Sequence, residues 1–247
     1  MNVMALYDIH GNVDALETVL AEAEPDAVLV GGDAVPGPFA AAVLDRLESL
    51  TVPVHWIRGN GEREVAEAVG AAEAARDDLA AVTAAITARE LGAERSRALG
   101  ELPLKVALDG TRFCHATPHR DDQMVTRISP PERWATVLEG AGPGLVVAGH
   151  THQQDDRTVG EVRFINAGSV GLPYEGEVGA FWALLVDGEP HLRKTELDHE
   201  RIVEVFRQSR WPRASEILRE RVIRTVTREE ATEVLEGRAS AIFVAPE

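Results

Sequence analysis

Residues 3–12 read VMALYDIHGN: an apolar run, an acid at its end, then His-Gly-Asn. Beyond it Val13, Leu16, Val19, Leu20 and Ala23 recur at helical spacing, with Asn12 placed as an N-cap and Pro25 just past the end. The unit then repeats. Residues 27–33, AVLVGGD, are a second apolar run ending in an acid. Residues 39–50, FAAAVLDRLESL, read as a second helix, and residues 52–60, VPVHWIRGN, as a third strand. Strand, helix, strand, helix, strand is the pattern of an α/β layered fold.

Residues 62–100 depart from it. They are rich in Ala, Glu and Arg, with Gly70 and Gly92 as the possible breaks, and read as two or three helices. Such an insert either caps a site or packs on the sheet as an ordinary layer. After Leu104 strands return: LKVAL (104–108), TRFCHA (111–116), GLVVAGHTH (144–152), VRFINAGSV (162–170), GAFWALLVDG (179–188) and PHLRKTEL (190–197). Residues 200–225 read as helix interrupted near Trp211-Pro212, and the last twenty or so carry a weaker helical signal. No repeat or linker divides the chain. Residues 1–247 are therefore expected to form one domain, with the insert at about 62–100 and a C-terminal helical segment at about 199–247.

The chain has 247 residues, 45% hydrophobic and 27% charged, as in soluble globular proteins. No apolar run approaches the roughly 20 residues that span a bilayer. The N-terminal sequence lacks the basic start and apolar stretch of a signal peptide. The single cysteine, Cys114, excludes an internal disulfide and fits a reducing compartment, so a cytoplasmic location is expected. A net charge of −16 argues against an extended nucleic-acid surface or an anionic membrane as partner. It does not argue against a small anionic substrate, because a bound cation reverses the local field. Nothing in the sequence sets the oligomeric state.

Five polar corners stand where apolar runs stop: Asp8-Ile9-His10, Gly32-Asp33, Gly59-Asn60, Cys114-His115 and Gly149-His150-Thr151-His152. In extended backbone, residues i and i+2 share a side, so Asp8 and His10 are expected to face one point together, as are His150 and His152. In open α/β sheets the loops past the carboxyl ends of the strands gather at one edge, where five corners could converge. Each corner alone has an ordinary reading as a turn, a helix cap or a buried histidine. Together they supply two carboxylates, one amide and four imidazoles. Seven such donors without a thiolate exceed one tetrahedral zinc site and suit two divalent first-row ions.

The motifs DIHGN, GGD, GN, CHATP and GHTH, followed by INAGSVGLP, resemble those of the calcineurin-like metallophosphoesterase superfamily, and in particular its small bacterial and archaeal phosphodiesterase branch. The likeness covers about residues 3–195. It implies a four-layer α/β/β/α sandwich of two mixed sheets with metals at one edge. By motif, Asp8, His10, Asp33 and His152 would hold one ion and Asp33, Asn60, His115 and His150 the other, with Asp33 as the bridge. Manganese is expected first, with iron, zinc, magnesium, cobalt or nickel admissible. The resemblance implies hydrolysis of a small phosphoester, most naturally a phosphodiester, by a hydroxide shared between the ions that attacks phosphorus in line. Asp33, Asn60 and His115 belong to that chemistry.

One departure matters. The superfamily often has a histidine after the Gly-Asn pair that helps the leaving oxygen depart, and this chain has Gly61. Losing an acid hurts poor alkoxide leaving groups most, so Gly61→His is expected to improve turnover of alkyl phosphates. His119 could substitute for that acid, or be a solvated loop residue. Arg58 could offset phosphate charge, or form an ion pair with Glu62 or Glu64. Other possible readings are a phosphomonoesterase, a dinucleoside-polyphosphate hydrolase and a non-catalytic protein-interaction scaffold.

Overall fold

In the computed structural model, residues 1–71, 78–209, 211 and 226–242 are described. The N-terminal half supplies strands β1 (Asn2–Leu6), β2 (Ala27–Val30) and β3 (Val54–Trp56), alternating with helices α1 (Val13–Leu20) and α2 (Ala40–Glu48). Asn12 caps α1, its side chain accepting from the Ala15 amide at 3.1 Å. Helices α3 (Asn60–Glu67), α4 (Leu79–Leu91) and α5 (Ala93–Gly100) follow. Strands β4 (Lys105–Leu108) and β5 (Thr111–Cys114) lead to α6 (Pro131–Val137), then to β6 (Gly144–Ala148), β7 (Gln154–Val159), β8 (Val162–Ala167), β9 (Ala180–Val186) and β10 (Glu189–Thr195). The described chain ends with α7 (His199–Gln208) and α8 (Arg228–Ile242). The expected break near Trp211-Pro212 falls largely outside the described residues.

The strands form two five-stranded sheets, ordered β10-β9-β1-β2-β3 and β4-β5-β6-β8-β7. In the first sheet β1, β2, β3 and β10 run one way and β9 the other; in the second β5, β6 and β8 run parallel and the edge strands β4 and β7 antiparallel to them. Alternation along β1 explains the layering. Val3, Ala5 and Tyr7 face the second sheet, packing with Leu29, Phe113, Val147 and Ile165. Met4 and Leu6 point the other way, against Leu16 of α1 and Val43 of α2. On the far side Trp134 and Val137 of α6 cover Val146 and Phe164. Helices, sheet, sheet and helix make the four-layer sandwich.

The insert packs partly as an ordinary layer, since Val65, Ala84, Ala88 and Leu99 join the core shared with α1 and α2. Two elements escaped the sequence reading. Strand β7 (QDDRTV) is a half-exposed edge strand with almost no apolar residue to mark it. Helix α6 is short and begins at a Pro-Pro pair that reads as loop.

Candidate metal centre

The corners converge at one edge of the sandwich, and the backbone there differs from the sequence expectation. Asp8, His10, Asp33, His150 and His152 all have positive φ, between 47° and 69°. The chain curls at these corners instead of staying extended, and the i, i+2 rule holds for Asp8 and His10, which meet in one group, but not for the second pair. His150 and His152 therefore part company. The Nε2 atoms of His152 and His10 lie 3.2 Å apart, whereas His150 packs edge-on against His115 with ring centroids 5.1 Å apart. Asn60 also differs: it opens α3 instead of ending a strand.

The first sheet contributes Asp8, His10, Asp33 and Asn60 from the ends of β1, β2 and β3. The second contributes His115, His150 and His152 from β5 and β6. Between them sits Tyr7, fully buried, its hydroxyl donating to the Val147 carbonyl of the opposite sheet at 2.9 Å. A Cβ at Gly31 would lie 2.0 Å from the Tyr7 ring and one at Gly149 would lie 2.6 Å from it, so these corners need glycine to let the sheets close over the ring.

Asp8 Oδ1 stands 3.2 Å from His152 Nε2 and 3.9 Å from both His10 Nε2 and His115 Nε2. The two oxygens of Asp33 face opposite halves of the cluster: Oδ1 is 3.5 Å from His115 Nε2, and Oδ2 is 3.8 Å from His10 Nε2. Donor atoms of Asp8, His10 and His152, and of Asp8, Asp33 and His115, form two compact groups within 4.8 Å. Four atoms here are buried without a hydrogen-bond partner: Asp8 Oδ1, Asn60 Oδ1, His115 Nε2 and His150 Nε2.

The surroundings orient these atoms. His115 Nδ1 faces the Gly31 carbonyl at 3.0 Å and His152 Nδ1 faces the Leu172 carbonyl at 2.6 Å. A carbonyl only accepts, so Nδ1 carries a proton, and Nε2 is the ring atom left to serve as a metal donor. Asn60 Nδ2 donates to Glu64 Oε1 at 3.2 Å, which turns Asn60 Oδ1 away from that carboxylate. The His150 amide donates to Asp8 Oδ2 at 2.8 Å. Every one of these arrangements fits a divalent cation bound by oxygen and imidazole nitrogen.

Glu62, singled out from the sequence only as a possible ion-pair partner of Arg58, organises this corner. Buried, it accepts from the amides of Asp33 (2.7 Å), Gly59 (2.8 Å) and Val35 (3.3 Å). Burial raises its carboxyl pKa, and those amides pull it back. Asp33 is pushed well above the ordinary carboxylate range by burial and by the charges of Glu62 and Asp8. Burial alone would also raise Asp8, but His152 and His115 outweigh it and hold its carboxyl below the usual value. Burial, with His115 alongside, lowers His150 to about 3, so this ring is neutral. Cys114, in the core behind the site, is raised to about 12 by burial and stays a thiol.

Gly61 is more than a position without an acid. Its amide donates to Asp33 Oδ1 at 2.7 Å, and a Cβ there would lie 2.2 Å from the Val35 carbonyl oxygen. A histidine at 61 does not fit this backbone, which overturns the expectation of improved turnover. His119, the candidate for its replacement, and Arg58, the candidate for offsetting phosphate charge, are both engaged elsewhere. His119 Nε2 meets the Glu139 carbonyl at 2.8 Å on an exposed edge. Arg58 pairs with Asp121 at 3.1 Å and bonds the Gly100 carbonyl, touching neither Glu62 nor Glu64.

The donors open into a cavity of about 210 Å³. His10, Asp33, Asn60, His150 and His152 line its floor, and its walls include Leu79 and Thr83 of α4, Phe206 of α7, Trp211, and Leu235 of α8. Tyr174 stacks on His152 at 4.7 Å between ring centroids. The insert thus does both things asked of it: α3, the later turns of α4 and α5 pack on the core, and the start of α4 walls the site.

A family model described as the calcineurin-like phosphoesterase superfamily domain matches residues 1–189. The chain belongs to this superfamily. As a calcineurin-like phosphoesterase it is similar in fold to a metallophosphoesterase from Sphaerobacter thermophilus, with TM-score 0.71 and 22% identity over 92% of this chain and 100% of that one. It is similar to a hypothetical protein from Pyrococcus horikoshii as well, with TM-score 0.71 and 20% identity over 88% of this chain and 97% of the other. At these identities the likeness is one of fold. No curated protein matches the sequence. Among the described residues no helix is long and apolar enough to cross a membrane.

Proposed function

We propose that this calcineurin-like phosphoesterase hydrolyses phosphodiesters at a pair of divalent cations, manganese being the first candidate. The observation that supports this most directly is the convergence of Asp8 Oδ1, Asn60 Oδ1, His115 Nε2 and His150 Nε2, all buried and unpartnered. Each such atom costs about 1–3 kcal/mol when left unpaired. A protein-interaction scaffold has no use for that cost, whereas bound cations remove it.

Asp8, His10, Asp33 and His152 would hold one ion, and Asp33, Asn60, His115 and His150 the other. Two bound ions would lower the pKa of a water and neutralise charge on the phosphoryl oxygens. The chain supplies orientation. The Gly31 and Leu172 carbonyls keep the Nε2 lone pairs of His115 and His152 available, and Glu64 keeps Asn60 Oδ1 facing the cluster. In the net reaction the oxygen of water bonds to phosphorus, the bond to the leaving oxygen breaks, and that oxygen or the solvent takes the released proton. With His119 and Arg58 turned away, leaving groups stable as anions are favoured. Apolar walls beyond the donors give room for an organic arm on the phosphate, which supports a diester over a monoester.

The test is to strip the protein of metal, reload it with single ion types, and compare bis(p-nitrophenyl) phosphate with p-nitrophenyl phosphate. Two ions per chain and a metal-dependent preference for the diester are expected. Failure to bind metal would sink the reading, and faster monoester turnover would replace the substrate class.

A further inference from the structure

Helix α8 lies beyond residues 1–189, the part that carries the family match. It is nonetheless built into the site. Thr232 Oγ1 donates to Gln153 Oε1 at 2.9 Å, and Gln153 Nε2 donates to the Arg228 carbonyl at 2.9 Å. Gln153 directly follows His152, so one loop sets both a donor and this helix. Further along, Glu236 accepts from Thr126 (2.6 Å), Ser129 (2.5 Å) and Arg133 (2.6 Å). Leu235 and Arg238, three residues apart and so on one helix face, both reach the cavity wall.

Arg238 is the only lysine or arginine among the described residues lining that cavity. Arg228 on the same helix pairs with Glu175, and Arg133 pairs with Glu236. Arg238 makes no hydrogen bond or ion pair among the described residues, although the chain carries a net charge of −16. Its guanidinium can form two parallel bonds to a phosphate or carboxylate.

We propose that Arg238 determines specificity by binding a second anionic group of the substrate, so that the preferred substrate is a phosphodiester whose one arm ends in a phosphate or carboxylate. The inference rests on the phosphodiesterase reading and narrows its substrate class. The cation cluster takes the reacting phosphate, the apolar wall takes the connecting arm, and Arg238 takes the distal charge.

The probes are the p-nitrophenyl diester of thymidine 5′-phosphate with and without a 3′-phosphate, offered to the metal-loaded protein. The wild type is expected to favour the 3′-phosphorylated diester by about tenfold in kcat/KM, the size of one charge-assisted contact. The preference should vanish in Arg238→Ala, survive in part in Arg238→Lys and reverse in Arg238→Glu. Equal ratios in wild type and Arg238→Ala would overturn the proposal. Binding of thymidine 3′,5′-bisphosphate against thymidine 5′-phosphate is measured in parallel. If neither diester is hydrolysed, the phosphodiesterase reading fails, and the binding ratio still decides the role of Arg238: an unchanged ratio in Arg238→Ala refutes it.

Discussion

The two sides of the cavity are built differently. On the sheet side, backbone curls at positive φ, glycines against Tyr7, buried amide bonds to Glu62 and main-chain carbonyls facing His115 and His152 set most of the donors. On the helical side, α4, α7 and α8 contribute Leu79, Phe206, Leu235 and Arg238, held by side-chain hydrogen bonds such as those of Gln153 and Glu236. Chemistry sits where a change of one atom disturbs the main chain. On the proposed reading, selection sits where a side chain can be exchanged with little effect on its neighbours.

The contrast can be broken in graded steps. Asp33→Asn should have the largest effect. It removes the carboxylate facing both halves of the cluster, so both ions should be lost and diester turnover should fall by at least about a thousandfold. The metal-free protein should gain about 1–2 kcal/mol, because a buried carboxylate pushed toward protonation is replaced by a neutral group. Metal analysis with thermal unfolding checks both signs, and retention of either ion at normal affinity would refute the shared role. Gly61→Ala comes next. With the new Cβ 2.2 Å from the Val35 oxygen, overpacking should cost about 1–3 kcal/mol and displace the Asp33 loop. An unchanged unfolding midpoint with full activity would show that this side yields like the other.

Glu64→Leu is milder. The Asn60 amide loses the acceptor that turns it, and affinity for one of two ions should fall by about tenfold while the other stays. Calorimetric metal titration separates the two, and equal weakening of both would contradict a role confined to Asn60. Leu235→Ala should have the smallest effect: a few-fold change in KM for bulky diesters with metal content intact. Loss of metal there would erase the distinction between the two sides.

The sequence made the sheet side legible because strand ends carry punctuation: an acid or histidine beside glycine where an apolar run stops. The donor identities therefore stand out, and so does the helical nature of the insert. Alternation alone misplaces one pair, His150 with His152, because it assumes extended backbone and these corners curl. The partner of Arg58 is Asp121, 63 positions away, and no local pattern announces it. Strand β7 is stabilised by pairing with β8 along its whole length rather than by an apolar face, so its residues look like loop. Arg238 carries no motif. Only the tertiary placement of α8 brings it to the cavity.

Four donors stand on one sheet and three on the other, and Asp33 faces both groups. Ions held there would therefore rivet two separate sheets together at the open end of the sandwich. Removing them should do more than stop hydrolysis. Ligands that bind only the folded state stabilise it by mass action, and the stripped protein should unfold sooner, opening first along the seam where Tyr7 reaches across to Val147. The site would then set the working lifetime of the molecule as well as its chemistry.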